Sequence, residues 1–147
     1  MATSAKSGPL SEAHRAATER ANAWRGRCVN QFARGELIVG EALLAQSAIK
    51  TLPMLLSQRI ARLSSLVKDA PKKVDALEAF SGLSDLRNAI VHGSGTIFID
   101  GEGNWLITLR AAGRSGLDQA SISQDQADER LVEVRQTVDR LCSALKT

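Results

Sequence analysis

Residues 84–93, "SDLRNAIVHG", hold side chains that can move a proton and grip an anion. His92 is the residue type whose ordinary pKa lies near neutrality, so it can serve as acid or base. Arg87 carries a rigid fork of donors suited to phosphate or carboxylate oxygens. Asn88 stands four positions before His92 and shares its helix face, where it can bond the imidazole or a substrate. Asp85 lies one turn further back and can orient the histidine or raise its pKa. Together these groups can hold a phosphate and pass a proton beside it, with the arginine stabilising negative charge. On an ideal helix, Arg87 and His92 point roughly 140° apart. Their convergence needs the arginine's reach, the helix end at Gly93, or a second copy of the chain. A plainer reading also fits. His92 can satisfy free carbonyls at a helix end, and Arg87 can pair with a carboxylate on another helix.

Other chemistries find little support. There is no phosphate-binding glycine loop and no dinucleotide fingerprint. The only histidines, His14 and His92, have no His or Cys partners at metal-ligand spacing, so neither a metal nor a cofactor is expected. Ser94 reads as a loop residue and belongs to no nucleophile elbow. Glu36 and Glu41 could be paired carboxylates, but they read better as salt-bridge partners of Arg34 or of a neighbouring helix. Cys28 and Cys142 fall on helical faces and read as reduced thiols, which favours a cytoplasmic location.

The elements that must position these residues are mostly helical. From about 12 to 50 the chain reads as one long helix or two stacked ones. Its stripe is Ala21, Arg25, Cys28, Phe32, Gly35, Val39, Ala42, Gln46 and Ile49, widened by Trp24, Val29, Ile38 and Leu43. A break follows at "KTLPML", with Thr51 as N-cap and Pro53 in the next first turn. Leu52, Leu56, Ile60, Leu63 and Val67 form the second stripe. Asp69 caps a third helix that opens at Pro71 and runs to about 92, with Ser81, Asp85, Asn88 and His92 on the face opposite its core. Gly93 ends it as a C′ residue.

The period then changes to two. "TIFID" and "NWLITL" predict a β-hairpin at about 96–110, turned by "DGEGN", with Trp105, Ile107 and Leu109 on one face. Phe98 is free to pack on the bundle or to serve an interface. "RAAGRSGLDQA" reads as a flexible connector. Ser123 and Gln126 form a capping box, with Ile122 and Ala127 as a staple, before a last helix on Ala127, Leu131, Val134, Val138, Leu141 and Leu145. The expected fold is mainly α: a bundle of four to five helices with a small hairpin inserted before the C-terminal helix. Residues 1–11 read as a disordered lead and 12–147 as one domain. Leu, Ile, Val and Ala must supply most of the core, since the chain has no tyrosine, two tryptophans and three phenylalanines. No apolar run approaches the roughly 20 residues that span a bilayer, so no membrane partner is expected.

The net charge of +3 conceals a division. Residues 1–73 carry 12 basic and 5 acidic residues; residues 74–147 carry 7 and 11. The basic half suits a phosphate-rich partner, or a solvated helix surface that faces the acidic half or an acidic partner subunit. No basic recognition helix of a helix-turn-helix is apparent, which disfavours DNA binding.

"LRNAIVHG" resembles the signature of the HEPN superfamily: Arg87, the polar Asn88, three residues, and His92, near the end of an internal helix of a helical bundle. "ARGELIVGEALL" resembles the superfamily's first long helix. The same arrangement is similar to the mannitol-operon repressor branch. The resemblance spans about 12–147, with the hairpin as an insert. It implies a metal-independent endoribonuclease acting as a homodimer, with Arg87 and His92 of both subunits lining one cleft. Asn88 and Asp85 would support them, Arg59 and Arg62 would guide RNA, and a cognate antitoxin or regulatory protein would be a partner in a toxin–antitoxin or phage-defence setting. Alternatively it implies a non-catalytic interaction or regulatory module like the repressor branch. In one toxin branch a tyrosine two positions after the histidine is the modified residue. Ser94 stands there in this chain, which removes that form of neutralisation.

Overall fold

A computed structural model describes residues 9–46, 49–113 and 115–146. The elements are α1 (Pro9–Leu44), α2 (Leu56–Leu66), α3 (Pro71–Ser81), α4 (Ser84–His92), β1 (Ser94–Ile99), β2 (Trp105–Gly113), β3 (Gly116–Ser123) and α5 (Gln124–Leu145). The mainly helical expectation holds, with a small antiparallel sheet ahead of the last helix. Residues 1–8 of the expected lead lie outside the described residues, and α1 already begins at Pro9.

The first helix is single and unbroken, on the order of 54 Å long at 1.5 Å per residue. Its buried line is Ala17, Ala21, Trp24, Cys28, Phe32, Val39 and Leu43. The core therefore sits on the Trp24–Leu43 side of the expected stripe, and Arg25 and Ala42 lie at its half-buried edge. Trp24 shows how the layers join. Its indole Nε1 donates to the Ala127 carbonyl at 2.7 Å, and its ring meets Trp105 at 5.9 Å between centroids. One side chain thus ties α1 to the start of α5 and to β2, and the buried N–H is satisfied. α5 lays Ala127, Leu131, Val134, Val138 and Leu141 into the same core. The capping box of Ser123 and Gln126 is present, and Ile122 and Ala127 on either side of it are both buried.

Four boundaries differ from expectation. The second helix starts at Leu56 with Leu55 in an extended conformation at its N-cap, instead of being capped by Thr51. Arg59 Nε donates to the Pro53 carbonyl at 2.6 Å, which engages that backbone group outside the helix. The third helix is capped by Ala70 instead of Asp69, with no side-chain bond. A residue before proline is pushed out of the helical region, so Pro71 places the boundary at Ala70. That third helix is also not continuous. It ends at Gly82, and a new helix starts at Ser84. Glycine carries a high helical cost, and Leu83 N–H turns back to Phe80 O at 3.1 Å. The break lets α3 pack on α5 while α4 lies across α1 and the sheet.

The fourth difference is the sheet. β1 and β2 form the expected hairpin, with Trp105, Ile107 and Leu109 buried. Its turn is organised by Asp100, whose carboxylate accepts the backbone N–H groups of Asn104 and Glu102 at 2.9 Å each. These bonds, that of Asn104 first, hold the carboxyl below its usual range. Gly103 sits at φ 82°, a conformation glycine adopts without a Cβ penalty. The expected connector is not flexible loop. Most of it continues β2 and forms β3, paired from Leu106↔Ser123 to Gly113↔Gly116. Arg114 in that stretch lies outside the described residues. The order β1-β2-β3 leaves Phe98 and Leu106 side by side on the outer face, and Phe98 is 55% exposed. Among the described residues, no helix is long and apolar enough to cross a membrane.

Candidate functional site

The short helix α4 sends its polar residues in different directions. Ala89 and Ile90 anchor it in the core, at 1% and 0% exposure. Arg87 leaves the flank toward α1, where Nε and Nη2 both reach Glu36 Oε1. Both side chains are largely covered, at 23% and 31% exposure. Water screens such a pair less than a surface one. The expectation that Arg87 pairs with a carboxylate on another helix, and that Glu36 pairs with a neighbouring helix, is met by one contact. Glu41 is exposed.

Asn88 faces the sheet. Its Nδ2 donates to Asp118 Oδ2 at 2.7 Å and to the Ala112 carbonyl at 3.1 Å. Asp85 is exposed and opens onto a groove of about 420 Å³ between α4, β3 and α5, with Gln119, Arg130 and Glu133 on its walls. His92 is exposed in the last turn of α4, and its side chain makes no hydrogen bond or ion pair among the described residues. The histidine therefore does not satisfy the carbonyls of its own helix end within this chain.

Another residue does that work. Arg25 of α1 donates from Nε to the Ile90 carbonyl at 2.7 Å and from Nη2 to the Gly93 carbonyl at 2.6 Å. The last carbonyls of a helix lack internal partners and form its negative end, so a guanidinium there is doubly favourable. Gly93 does end the helix, but not in the left-handed conformation of a usual C′ residue. It is extended, at φ −70° and ψ 144°, and runs straight into β1. Only glycine fits, because a Cβ would lie 2.1 Å from the Ala89 carbonyl oxygen. The arginine clamp and the glycine together fix where His92 stands.

Arg25 and Asp118 were not among the sequence's candidates. Arg25 had a signal: a guanidinium at the edge of an apolar stripe must find acceptors. Asp118 had almost none, since it occupies an inward position of β3 where an apolar residue is the usual choice. Arg59 is half-buried and committed to the Pro53 carbonyl. Arg62 is exposed on α2, which packs on α1 and α3 and not chiefly on α4. Beside α4, a groove of about 620 Å³ runs along α1 between Asn22, Arg27 and Val91, one residue short of His92.

Cys28 and Cys142 are both free thiols. Burial pushes the Cys28 thiol up to about 12, with nearby Arg27 opposing only in part.

What the arrangement can do follows from its parts. α4 presents an accessible imidazole on a braced helix end, with a guanidinium held to one side and an amide held to the other. Comparison with known proteins finds no matching family model, no similar curated protein and no similar solved structure.

Proposed function

We propose that this chain is a metal-independent endoribonuclease of HEPN type that works as a cytoplasmic homodimer. The observation that carries the reading is the Arg87–Asn88–His92 arrangement on the terminal turns of α4, with His92 accessible and unbonded among the described residues. RNA supplies the nucleophile. A base takes the proton of the 2′-hydroxyl, its oxygen bonds to the adjacent phosphorus, and the bond from phosphorus to the 5′-oxygen breaks. An acid returns a proton to that leaving oxygen. The products are a 2′,3′-cyclic phosphate and a 5′-hydroxyl. An imidazole can fill either role near neutral pH, and a guanidinium can stabilise charge on the pentavalent phosphorus. A mechanism that uses an imidazole for each of the two proton transfers needs two chains, because the site holds one histidine per chain. The second would come from His92 of a second copy, which also relieves the 140° divergence of Arg87 and His92. Such an enzyme would suit a toxin or phage-defence component restrained by a partner protein.

The test is incubation of several RNAs with the protein in EDTA, comparing wild type with Arg87→Ala and His92→Ala. Loss of at least about 100-fold in the histidine variant is expected, the scale of general acid–base catalysis. Equal cleavage by all three, or none by a folded wild type, would refute the reading.

One observation favours a second reading, a non-catalytic regulatory module similar to the mannitol-operon repressor branch. Arg87 is already engaged by Glu36, as a purely structural arginine would be. In that case Arg87→Ala lowers stability, and no RNA is cut by any variant.

A further inference from the structure

Asn88 has both amide hydrogens committed within the fold. Its Nδ2 donates to Asp118 Oδ2 and to the Ala112 carbonyl. A carboxylate and a carbonyl only accept, so chemistry alone requires the nitrogen to face the sheet. The socket is built by the β2–β3 pair. Asp118 stands opposite Ala111 in register, and Gly113 stands at the end of the same pairing. A Cβ on Gly113 would lie 2.7 Å from both carboxylate oxygens of Asp118. The missing side chain is therefore the space that the carboxylate occupies. Among the described residues nothing donates to Asn88 Oδ1, so the polar atom left to meet a ligand is an acceptor.

Resting on the ribonuclease reading, we infer that Asp118 is a positioning residue that locks Asn88 with its carbonyl oxygen available to accept from a ribose 2′-hydroxyl. An asparagine that rotates freely offers a donor or an acceptor and meets phosphate as readily as hydroxyl. A locked one offers only an acceptor, which phosphate oxygens cannot use and a hydroxyl can. The 2′-hydroxyl is the group that distinguishes RNA from DNA. The sheet that sequence reading treats as an appendage would thus carry substrate discrimination.

The test uses the full chain in a His92→Ala background, so that cleavage is suppressed. Binding of a short single-stranded RNA and of the DNA of the same sequence is measured by fluorescence anisotropy. Adding Asp118→Ala should lower the RNA-over-DNA preference about tenfold and leave DNA affinity within about twofold, the scale of one hydrogen bond. Adding Asp118→Asn retains an acceptor oxygen for Nδ2 and should retain the preference. The Asn88 side-chain amide, followed by ¹⁵N NMR, should exchange slowly in the parent and fast with Asp118→Ala. An unchanged preference with Asp118→Ala, equal losses in both Asp118 variants, or fast amide exchange in the parent would overturn the inference. A wild type that prefers RNA but cuts none removes the ribonuclease reading and leaves the lock standing; a parent with no preference for RNA removes the lock's role.

Discussion

Replacing Arg25 tests whether the end of α4 is held by a clamp from α1. Two bonds are lost in Arg25→Ala: Nε to the Ile90 carbonyl at 2.7 Å and Nη2 to the Gly93 carbonyl at 2.6 Å. A hydrogen bond from a charged donor contributes about 1.5–3 kcal/mol. The side chain is only half-buried, so water will take over part of the carbonyls' demand. The expected net loss is about 2–4 kcal/mol. With an unfolding entropy of about 2.1 cal/mol/K per residue, a chain of 147 residues should melt about 7–13 °C lower. Arg25→Lys keeps the charge but cannot fork across two carbonyls, so about half the loss should return. Urea unfolding followed by circular dichroism reads the change as a lower midpoint at constant slope. An Arg25→Ala protein within about 0.5 kcal/mol of wild type, or a lysine variant indistinguishable from wild type, would refute the clamp.

Two further outcomes are expected. In Gly35→Ala the new Cβ would lie 2.6 Å from the buried Phe80 ring. The helical gain of about 1 kcal/mol should lose to overpacking of about 1–3 kcal/mol, and a rise in melting temperature would contradict the seating of the Phe80 ring against Gly35. Cys28 should resist thiol reagents at pH 8 until the protein unfolds. Its thiol stands at about 12 in the folded state against an ordinary 9.0, so between these values the folded state keeps a proton that the unfolded chain releases. This contribution is complete below about pH 9 and declines by about 1.4 kcal/mol per pH unit toward 12. Alkaline unfolding curves of wild type and Cys28→Ala that superimpose would count against it.

Periodicity alone determined much of this protein. The stripe of α5, the Ile60 and Leu63 core of α2, the alternation of Trp105, Ile107 and Leu109, the capping box and the stop at Gly93 are local patterns that the structure repeats. So was the candidate trio on α4, because residue types and spacing are sequence properties. Other features depended on partners far along the chain. Ser81 and Asp85 share one face only on a continuous helix, and the break at Gly82 ends that register. The third strand is not legible in the sequence because Asp118 points inward and Leu117 outward, at 63% exposure, the reverse of the pattern that marks a half-buried strand. Only the tertiary structure decided that Glu36 holds Arg87, that Asp118 holds Asn88 and that Arg25 closes the helix on which His92 stands. These contacts join residues 51, 30 and 65–68 positions apart. Helical spacing says which side of α4 each residue takes, but the chain packed against that side is chosen by the fold.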